Sequence, residues 1–407
     1  MTPASLRAIL LQINSKKGDD RVFSWKRIRY GIMFGFLAYI TWVGYQHQLL
    51  GGGRGGIPTV DALCPFGGLE AVYAWLTSGE WLRRTAPSSL VLFVIVAVLT
   101  LLLGRVFCGS ICPLGSIGEF SNLAARKLGI RRRELPPSLD RGMRLLKYLF
   151  LFVILYMTWT TGTLAWRDRA DPWSAWMHLS SGWEEISASP GGFIVLFILV
   201  IGAGLLIERF WCRYLCPLGA ALGILQKFSL TKVAREEDTC ISCGKCNRSC
   251  PMGLDPMSVD RVTSADCISC GRCVEECPVP GTLRFSTVGG WAMSALSVGL
   301  LGVTLYFAGY GASRLAGYWQ TFPPTPTVST STAASPTGVP RNPDELKGSF
   351  SLAEIASGYG LELSSILEKA GWPADTDPDI KMREAADALG REASDIRNAV
   401  KELLKGP

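Results

Sequence analysis

Apolar residues along the chain are bunched into five runs, approximately 31–50, 88–107, 145–163, 192–210 and 289–310, with charged connections between them. A helix needs about 20 residues to cross a hydrocarbon core of about 30 Å, and each run comes close to that length. The third and fourth runs (LLKYLFLFVILYMTW and GFIVLFILVIGAGLLI) are the purest, and the fifth is richer in small residues. One such run suits the buried helix of a globular domain equally well. Five of them, flanked by aromatic residues such as Trp166, Trp291 and Tyr310, predict a polytopic α-helical membrane protein of about five transmembrane helices.

The charged connections set an orientation. Residues 1–30 hold seven Lys or Arg, and the 105–147 connection holds nine, including Arg131, Arg132 and Arg133. The 48–87 connection holds three and the 164–191 connection two. Basic loops stay inside, so the N-terminus, the 105–147 loop and residues 211–288 are expected on the cytoplasmic side. Everything after the fifth run is expected outside. The early basic residues show no small-residue cleavage pattern, so the first run reads as a retained span. Juxtamembrane placement also accounts for most of the net charge of +7, and nucleic acid is not an expected partner.

The ends of the second and fourth runs repeat. A shift of 104 residues lays LLLGRVFCGSICPLG over LLIERFWCRYLCPLG and matches Arg105 with Arg209, both cysteines and the prolines. Both copies run in the same direction, so Cys108, Cys112, Cys212 and Cys216 should reach one side of the membrane at similar depth. A spacing of four sets each pair on one helical face, and the proline that follows bends or restarts the helix. Facing pairs supply four thiolates, enough for an iron–sulfur cluster or another soft-metal site. Each pair also suits a reversible disulfide, and cysteine at a helix end also packs as a small hydrophobe. Arg105 and Arg209 either anchor the helix ends or stabilise negative charge there.

Residues 238–282 carry the strongest chemical signal. Cys240, Cys243, Cys246 and Cys250-Pro251 recur as Cys267, Cys270, Cys273 and Cys277-Pro278. Each is a C-x2-C-x2-C-x3-C-P run, in which the fourth cysteine serves the other cluster. The expected ligand sets of two [4Fe–4S] clusters are therefore Cys240, Cys243, Cys246 and Cys277, and Cys267, Cys270, Cys273 and Cys250. Gly244 and Gly271 let the backbone wrap closely around each cluster. The reducing inner side disfavours a disulfide scaffold, and zinc takes pairs of C-x2-C rather than runs of four.

Cys64, in VDALCPFGGLE, shares the C-P-x-G core without the earlier cysteine, and reads as a structural turn on the outer side. Two histidines exclude a multi-haem cytochrome. His178, Asp171 and Trp173, in DPWSAWMHL, form a candidate quinone pocket, with an aromatic membrane belt as the competing reading. Residues 320–346 are rich in Pro, Thr and Ser and read as a linker. Beyond it a 30-residue offset aligns Gly360 with Gly390 and Ile366 with Ile396, which predicts two helical hairpins. Eleven acidic against eight basic residues argue against DNA and for a docking role.

The order CPFGGLE, FCGSICPLG, WCRYLCPLG and then the paired ferredoxin runs resembles the NapH-type membrane ferredoxins and the membrane part of the NosR regulators. The resemblance covers roughly residues 25–310. It implies electron exchange with the quinol pool on behalf of a respiratory partner. The fifth run, the linker and the C-terminal module depart from that pattern, so nitrate is not implied.

The expected layout is a basic segment (1–30), a four-span membrane domain (31–237) and an inserted bacterial-type α+β two-cluster ferredoxin module (238–283). A fifth span (284–318), a linker (319–346) and an all-α hairpin module (347–407) follow. The expected protein lies in a prokaryotic cytoplasmic membrane, in contact with lipid. It exchanges electrons between quinone and a redox partner such as a reductase, cytochrome or ferredoxin subunit, as a non-catalytic subunit of a quinol oxidoreductase. The alternative is a maturation or regulatory protein that supplies reducing equivalents to metalloenzyme assembly outside.

Overall fold

The computed structural model describes residues 24–50, 57–79, 85–161, 170–180, 190–321 and 350–405, apart from 59 and 392, together with 186, 343 and 346. Most of the basic N-terminal segment and nearly all of the linker lie outside the described residues. The chain divides into two compact units, Met1–Thr325 and Pro326–Pro407.

The first unit is mostly helical. Its helices up to the ferredoxin runs are α1 (Trp25–Leu50), α2 (Pro65–Ser78), α3 (Pro87–Leu103), α4 (Val106–Ser110), α5 (Pro113–Lys127), α6 (Pro137–Thr161) and α7 (Pro172–Met177). Then come α8 (Pro190–Leu206), α9 (Phe210–Tyr214) and α10 (Pro217–Gln226). All five apolar runs thus lie on helices, the fifth on α13 described below. α6 over Pro137–Thr160 and α13 are long and apolar enough to cross a membrane, whereas α3, α8 and α10 are apolar but shorter. Phe152, Tyr156 and Trp159 on α6 and Phe197 and Ile198 on α8 point their apolar side chains outward. The middle of α8, Val195–Gly202, is wound as a π-helix.

Proline decides where several helices begin. Pro65, Pro113 and Pro217 each open a helix whose N-cap is the preceding cysteine, Cys64, Cys112 or Cys216. A missing N–H costs nothing in a first turn, and the fixed φ suits it. α2 lies closely against α3. A Cβ on Gly68 would come within 2.3 Å of the Ser89 carbonyl oxygen, so only glycine permits this crossing. Ser88 and Ser89 stitch the pair by donating to the carbonyls of Ala62 (2.9 Å) and Cys64 (2.5 Å).

The ferredoxin-type segment follows as β1 (Thr231–Arg235), α11 (Lys245–Ser249), α12 (Arg272–Glu275), β2 (Leu283–Thr287) and β3 (Ala292–Met293), before α13 (Ala295–Leu315). β1 and β2 pair antiparallel from Thr231↔Thr287 to Arg235↔Leu283, and β3 adds to β2. The cysteine runs are thus closed by a strand pair that starts at Thr231, ahead of the boundary at 238. The segment is bound to the helices. Trp25 donates its indole N–H to the Cys270 carbonyl at 2.9 Å, and the Leu230 N–H reaches the Leu101 carbonyl at 2.8 Å.

The second unit contains α14 (Leu352–Tyr359), α15 (Leu363–Ala370), α16 (Met382–Leu389) and α17 (Ala393–Lys405). Gly360 and Gly390 both terminate a helix in the left-handed conformation, as the 30-residue offset requires. The copies meet through a bridge between Ser351 and Lys381. Matched residues share one core: Leu352 with Met382, Ile355 with Ala385 and Ile366 with Ile396.

Candidate iron–sulfur sites

Three cavities in the first unit are lined by cysteine. The smaller two, each ≈ 20 Å³, belong to the ferredoxin-type segment. Cys240, Cys243, Cys246 and Cys277 line one, together with Ile241, Met257 and Leu283. Cys250, Cys267, Cys270 and Cys273 line the other, with Val233, Leu254 and Ile268. The fourth cysteine of each run therefore stands at the other run's cavity.

The loops reach this arrangement through paired left-handed residues. Ser242 and Gly244 in the first run, and Ser269 and Gly271 in the second, all have positive φ. For the serines this is a sparsely populated conformation. The sequence reading anticipated the glycines and missed the serines, although both occupy the same place in C-I-S-C-G. Burial pushes the Cys267 thiol up to about 12 and Cys273 well above its ordinary value. A thiol must lose its proton to ligate iron, so cluster binding at these residues releases protons.

The donor sets fit iron–sulfur chemistry. Among the described residues, no three His, Cys, Asp or Glu side chains converge on a single ion. A cubane gives each thiolate its own iron, so its ligands stand around a void instead of meeting at a point. The Leu254 N–H lies 3.4 Å from the Cys250 sulfur, the kind of donor that tunes such a cluster.

The third cavity is larger, ≈ 90 Å³. Cys112, Cys212 and Cys216 line it, and so do Cys64, Asp171 and Trp173, among apolar neighbours such as Phe36, Ile40 and Tyr306. Cys108 stands behind this lining, fully inside the apolar core. The repeat thus does bring its cysteines together, and Cys64 joins the same cavity instead of standing apart in an outer turn. Of the candidate quinone residues, Asp171 and Trp173 share the cavity. His178 lies at the end of α7, its ring 6.1 Å from that of His47.

Arg105 and Arg209 are fully buried at the interface of the two copies. Arg105 of the first copy passes over Gly219 of the second, where a Cβ would lie 3.0 Å from its Nη2. Arg209 of the second copy passes over Gly115 of the first, where a Cβ would lie 2.6 Å from its Nη1. This reciprocity is the physical reason for glycine in both C-P-L-G motifs. Arg105 Nη2 approaches the Cys108 sulfur at 3.8 Å, and Arg209 Nη1 donates to the Cys108 carbonyl at 2.5 Å.

A buried ion network lies between this interface and the ferredoxin-type segment. Glu119 takes Arg29 (Nη2–Oε2, 2.5 Å), Arg209 (2.7 Å) and Arg272 (3.4 Å), and Arg272 also pairs with Glu208. Burial alone would raise the Glu119 carboxyl, but the surrounding guanidinium groups outweigh it and hold it well below the usual carboxylate range. Asp266, facing Lys147 and Arg144, is likewise lowered against its own burial. Among the described residues of this layer, Arg29, Arg105, Lys147, Arg209 and Arg272 are buried near Glu119, Glu208 and Asp266, while Arg213 pairs with the partly buried Asp140. An excess of buried cations calls for anions nearby, and thiolate-bound clusters are anions.

Comparison with known proteins supports iron–sulfur binding by this chain. A family described as "4Fe-4S binding domain" matches residues 85–131 and again 189–235, the two copies of the repeat. A "4Fe-4S dicluster domain" matches 232–278. The putative electron transport protein YccM of Escherichia coli is 32% identical over 273 residues, covering 64% of this chain and 74% of that protein. The chain belongs to the NapH/NosR-like family of 4Fe–4S ferredoxins. Within that family, the ferredoxin-type protein NapH of Escherichia coli is 33% identical over 184 residues, 42% of this chain and 59% of NapH. The regulatory protein NosR of Stutzerimonas stutzeri is 29% identical over 231 residues, 55% of this chain but only 29% of NosR. No solved structure matches the chain. The protein is an iron–sulfur electron-transport protein of this family's type.

Proposed function

We propose that this chain is a multi-pass protein of a prokaryotic cytoplasmic membrane that carries electrons between the quinone pool and a respiratory or reductase partner. Two [4Fe–4S] clusters serve this path. One is held by Cys240, Cys243, Cys246 and Cys277, the other by Cys267, Cys270, Cys273 and Cys250. The observation that carries the reading is the pair of four-cysteine cavities with crossed fourth cysteines. The outward apolar faces of α6 and α8 favour lipid around the helices, which form five spans.

The clusters supply one-electron transfer. The chain's own residues hold them in fixed positions, because the segment is tied to α1 through Trp25 and to α3 through Leu230. Such a segment is a fixed station in an electron path. Quinol releases two electrons and two protons. Its headgroup docks beside α7, where Trp173 offers an apolar wall and Asp171 and His178 offer proton acceptors.

The test is anaerobic electron paramagnetic resonance on membranes containing the full chain. A quinol analogue should produce reduced-cluster signals, and reoxidised quinone should quench them. Clusters that dithionite reduces but that exchange electrons with no quinone would sink the reading. The similarity to NosR, a regulatory protein, favours a second reading, in which the electrons serve assembly or regulation of a metalloenzyme outside. That reading expects a mixed disulfide with an outer protein to be trapped at Cys108 or Cys212, which the first does not.

A further inference from the structure

The second cysteine run is pressed against the point where α3 ends. The helix stops at Gly104, where a Cβ would lie 2.3 Å from the Ser269 Oγ and 2.9 Å from the Gln226 Oε1. The next residue is Arg105, whose Nη1 donates to the Ala265 carbonyl at 2.8 Å. Gly104 and Arg105 thus touch the loop at Ser269 and at Ala265, on either side of Cys267.

The charge of Arg105 is not cancelled. The side chain is 1% exposed, and among the described residues it forms no ion pair. The other buried guanidinium groups of this layer each face a carboxylate. Arg29 and Arg209 take Glu119, Arg272 takes Glu208, and Arg213 takes Asp140. Asp266, next to Ala265, is engaged by Lys147 and by Arg144 at 2.8 Å. Arg105 Nη2 reaches the Cys108 sulfur at 3.8 Å, and a protonated thiol is a weak acceptor that supplies no counter-charge. Its Nε has no hydrogen-bond partner. A buried cation left in this state is costly, and the anion that relieves it belongs beside the loop that Arg105 touches.

The first run stands in different surroundings. Arg248, which donates to the Cys243 carbonyl at 3.0 Å, is exposed, and Arg235 pairs with Asp260 at 3.3 Å. Solvent screens the first of these charges and a carboxylate offsets the second.

We propose that Arg105 tunes one cluster of the two: its uncancelled charge stabilises the reduced state of the cluster held by Cys250, Cys267, Cys270 and Cys273 and leaves the cluster of the first run unaffected. This deepens the electron-transfer reading above, and rests on it for the two clusters but not for quinone. Reduction adds one electron to a cluster and makes it more negative by one charge, and nearby net charge is one of the levers of its potential. The Ala265 carbonyl belongs to the second residue before Cys267, so the guanidinium lies within about 10 Å of that ligand. At about 10 Å and an effective dielectric of about 20, one unit charge shifts the ratio of reduced to oxidised cluster about tenfold. For a one-electron couple that is about 59 mV. Arg105 belongs to the first C-x3-C-P copy, so the helical bundle, and not the ferredoxin-type segment itself, sets this potential.

The experiment is a mediated redox titration of the anaerobically purified full-length protein, with dithionite as reductant and electron paramagnetic resonance as readout. Cys240→Ser alters the resonance of the first run and so assigns the two signals. Arg105→Gln and Arg105→Met remove the charge, and the apolar replacement keeps the volume of a buried side chain filled. Both should lower the midpoint of the second-run cluster by about 59 mV, with the first-run midpoint unchanged as the control for folding. Arg105→Lys keeps the charge and should keep the midpoint. An unmoved second-run midpoint in Arg105→Gln and Arg105→Met overturns the proposal, and so do equal shifts of both clusters. A shift in Arg105→Lys as large as in Arg105→Gln would assign the effect to shape and also overturns it. Loss of both signals in every charge-removing variant would leave Arg105 with a folding role only, and counts against the proposal in the same way. Because no quinone enters the titration, a selective shift in a protein that quinol cannot reduce would sink the quinone reading alone. Reduction by quinol with an unmoved midpoint would do the reverse.

Discussion

At the scale of the residue, Glu119 is held on several sides at once. It is 1% exposed and holds three guanidinium groups, from Arg29, Arg209 and Arg272. Removing one partner of a buried ion pair leaves an uncompensated charge, at a cost of about 3–5 kcal/mol. Glu119→Gln should therefore lower the unfolding free energy of the detergent-solubilised protein by that amount. The pH dependence follows from the sign of the shift. A carboxyl lowered on folding contributes fully above its ordinary value of 4.5 and loses that contribution as pH falls toward the depressed one. Thermal midpoints should thus decline below about pH 5 in the wild type, and less steeply in Glu119→Gln. An identical acid limb in both would show that Glu119 is not held ionised by these arginines. None of this was legible in the sequence. Glu119, Glu208 and Arg29 lie on three different segments, and only the folded chain brings them together.

At the scale of the element, what the chain pattern shows well is what local physics determines. Apolar runs became helices because a helix satisfies its backbone groups within the run itself. The crossed cysteines met because spacing and a proline constrain a short loop. The place of Cys64 was not legible, since it depends on α2 packing against α3 through Gly68, a contact between segments. The same holds for α4, which carries Cys108 of the repeat but whose contact with the ferredoxin-type loop at Gly109 no local pattern announces. This contact makes a prediction. Gly109→Ala puts a methyl 2.3 Å from a backbone oxygen that cannot swing aside, so α4 or the loop must move. Overpacking of this kind costs about 1–3 kcal/mol. The expected result is a lower thermal midpoint and an altered resonance line shape for the cluster nearest Cys270. Gly142→Ala on α6, where a Cβ meets nothing within 4 Å, should be neutral or slightly stabilising. Equal effects of the two substitutions would show that α4 does not press on the loop.

At the scale of the whole molecule, the remaining question is how the first unit lies in a membrane. Basic residues of the 105–147 connection are the strongest topological signal in the chain, and part of them now has a second use. Arg132 donates to Glu208 at 3.0 Å and to the Cys250 carbonyl at 2.8 Å, and Arg144 pairs with Asp266 at 2.8 Å. These same basic residues fasten the ferredoxin-type segment to the connection, so both must lie on one side, which the charge pattern predicts to be the inside. Two measurements test this together. Alkaline phosphatase needs disulfides, which form only outside the cytoplasm. Fused after residue 130 it should be inactive, and fused after residue 321, beyond α13, it should be active. A cytoplasm-dependent reporter at the same two points should give the opposite pattern. Phosphatase activity at the first point would invert the orientation, and would place the ferredoxin-type clusters on the outer side. Activity at neither point would mean that α13 returns to the inside, leaving an even number of spans. With the expected pattern, the ferredoxin-type segment lies on the cytoplasmic side together with the 105–147 connection that fastens it.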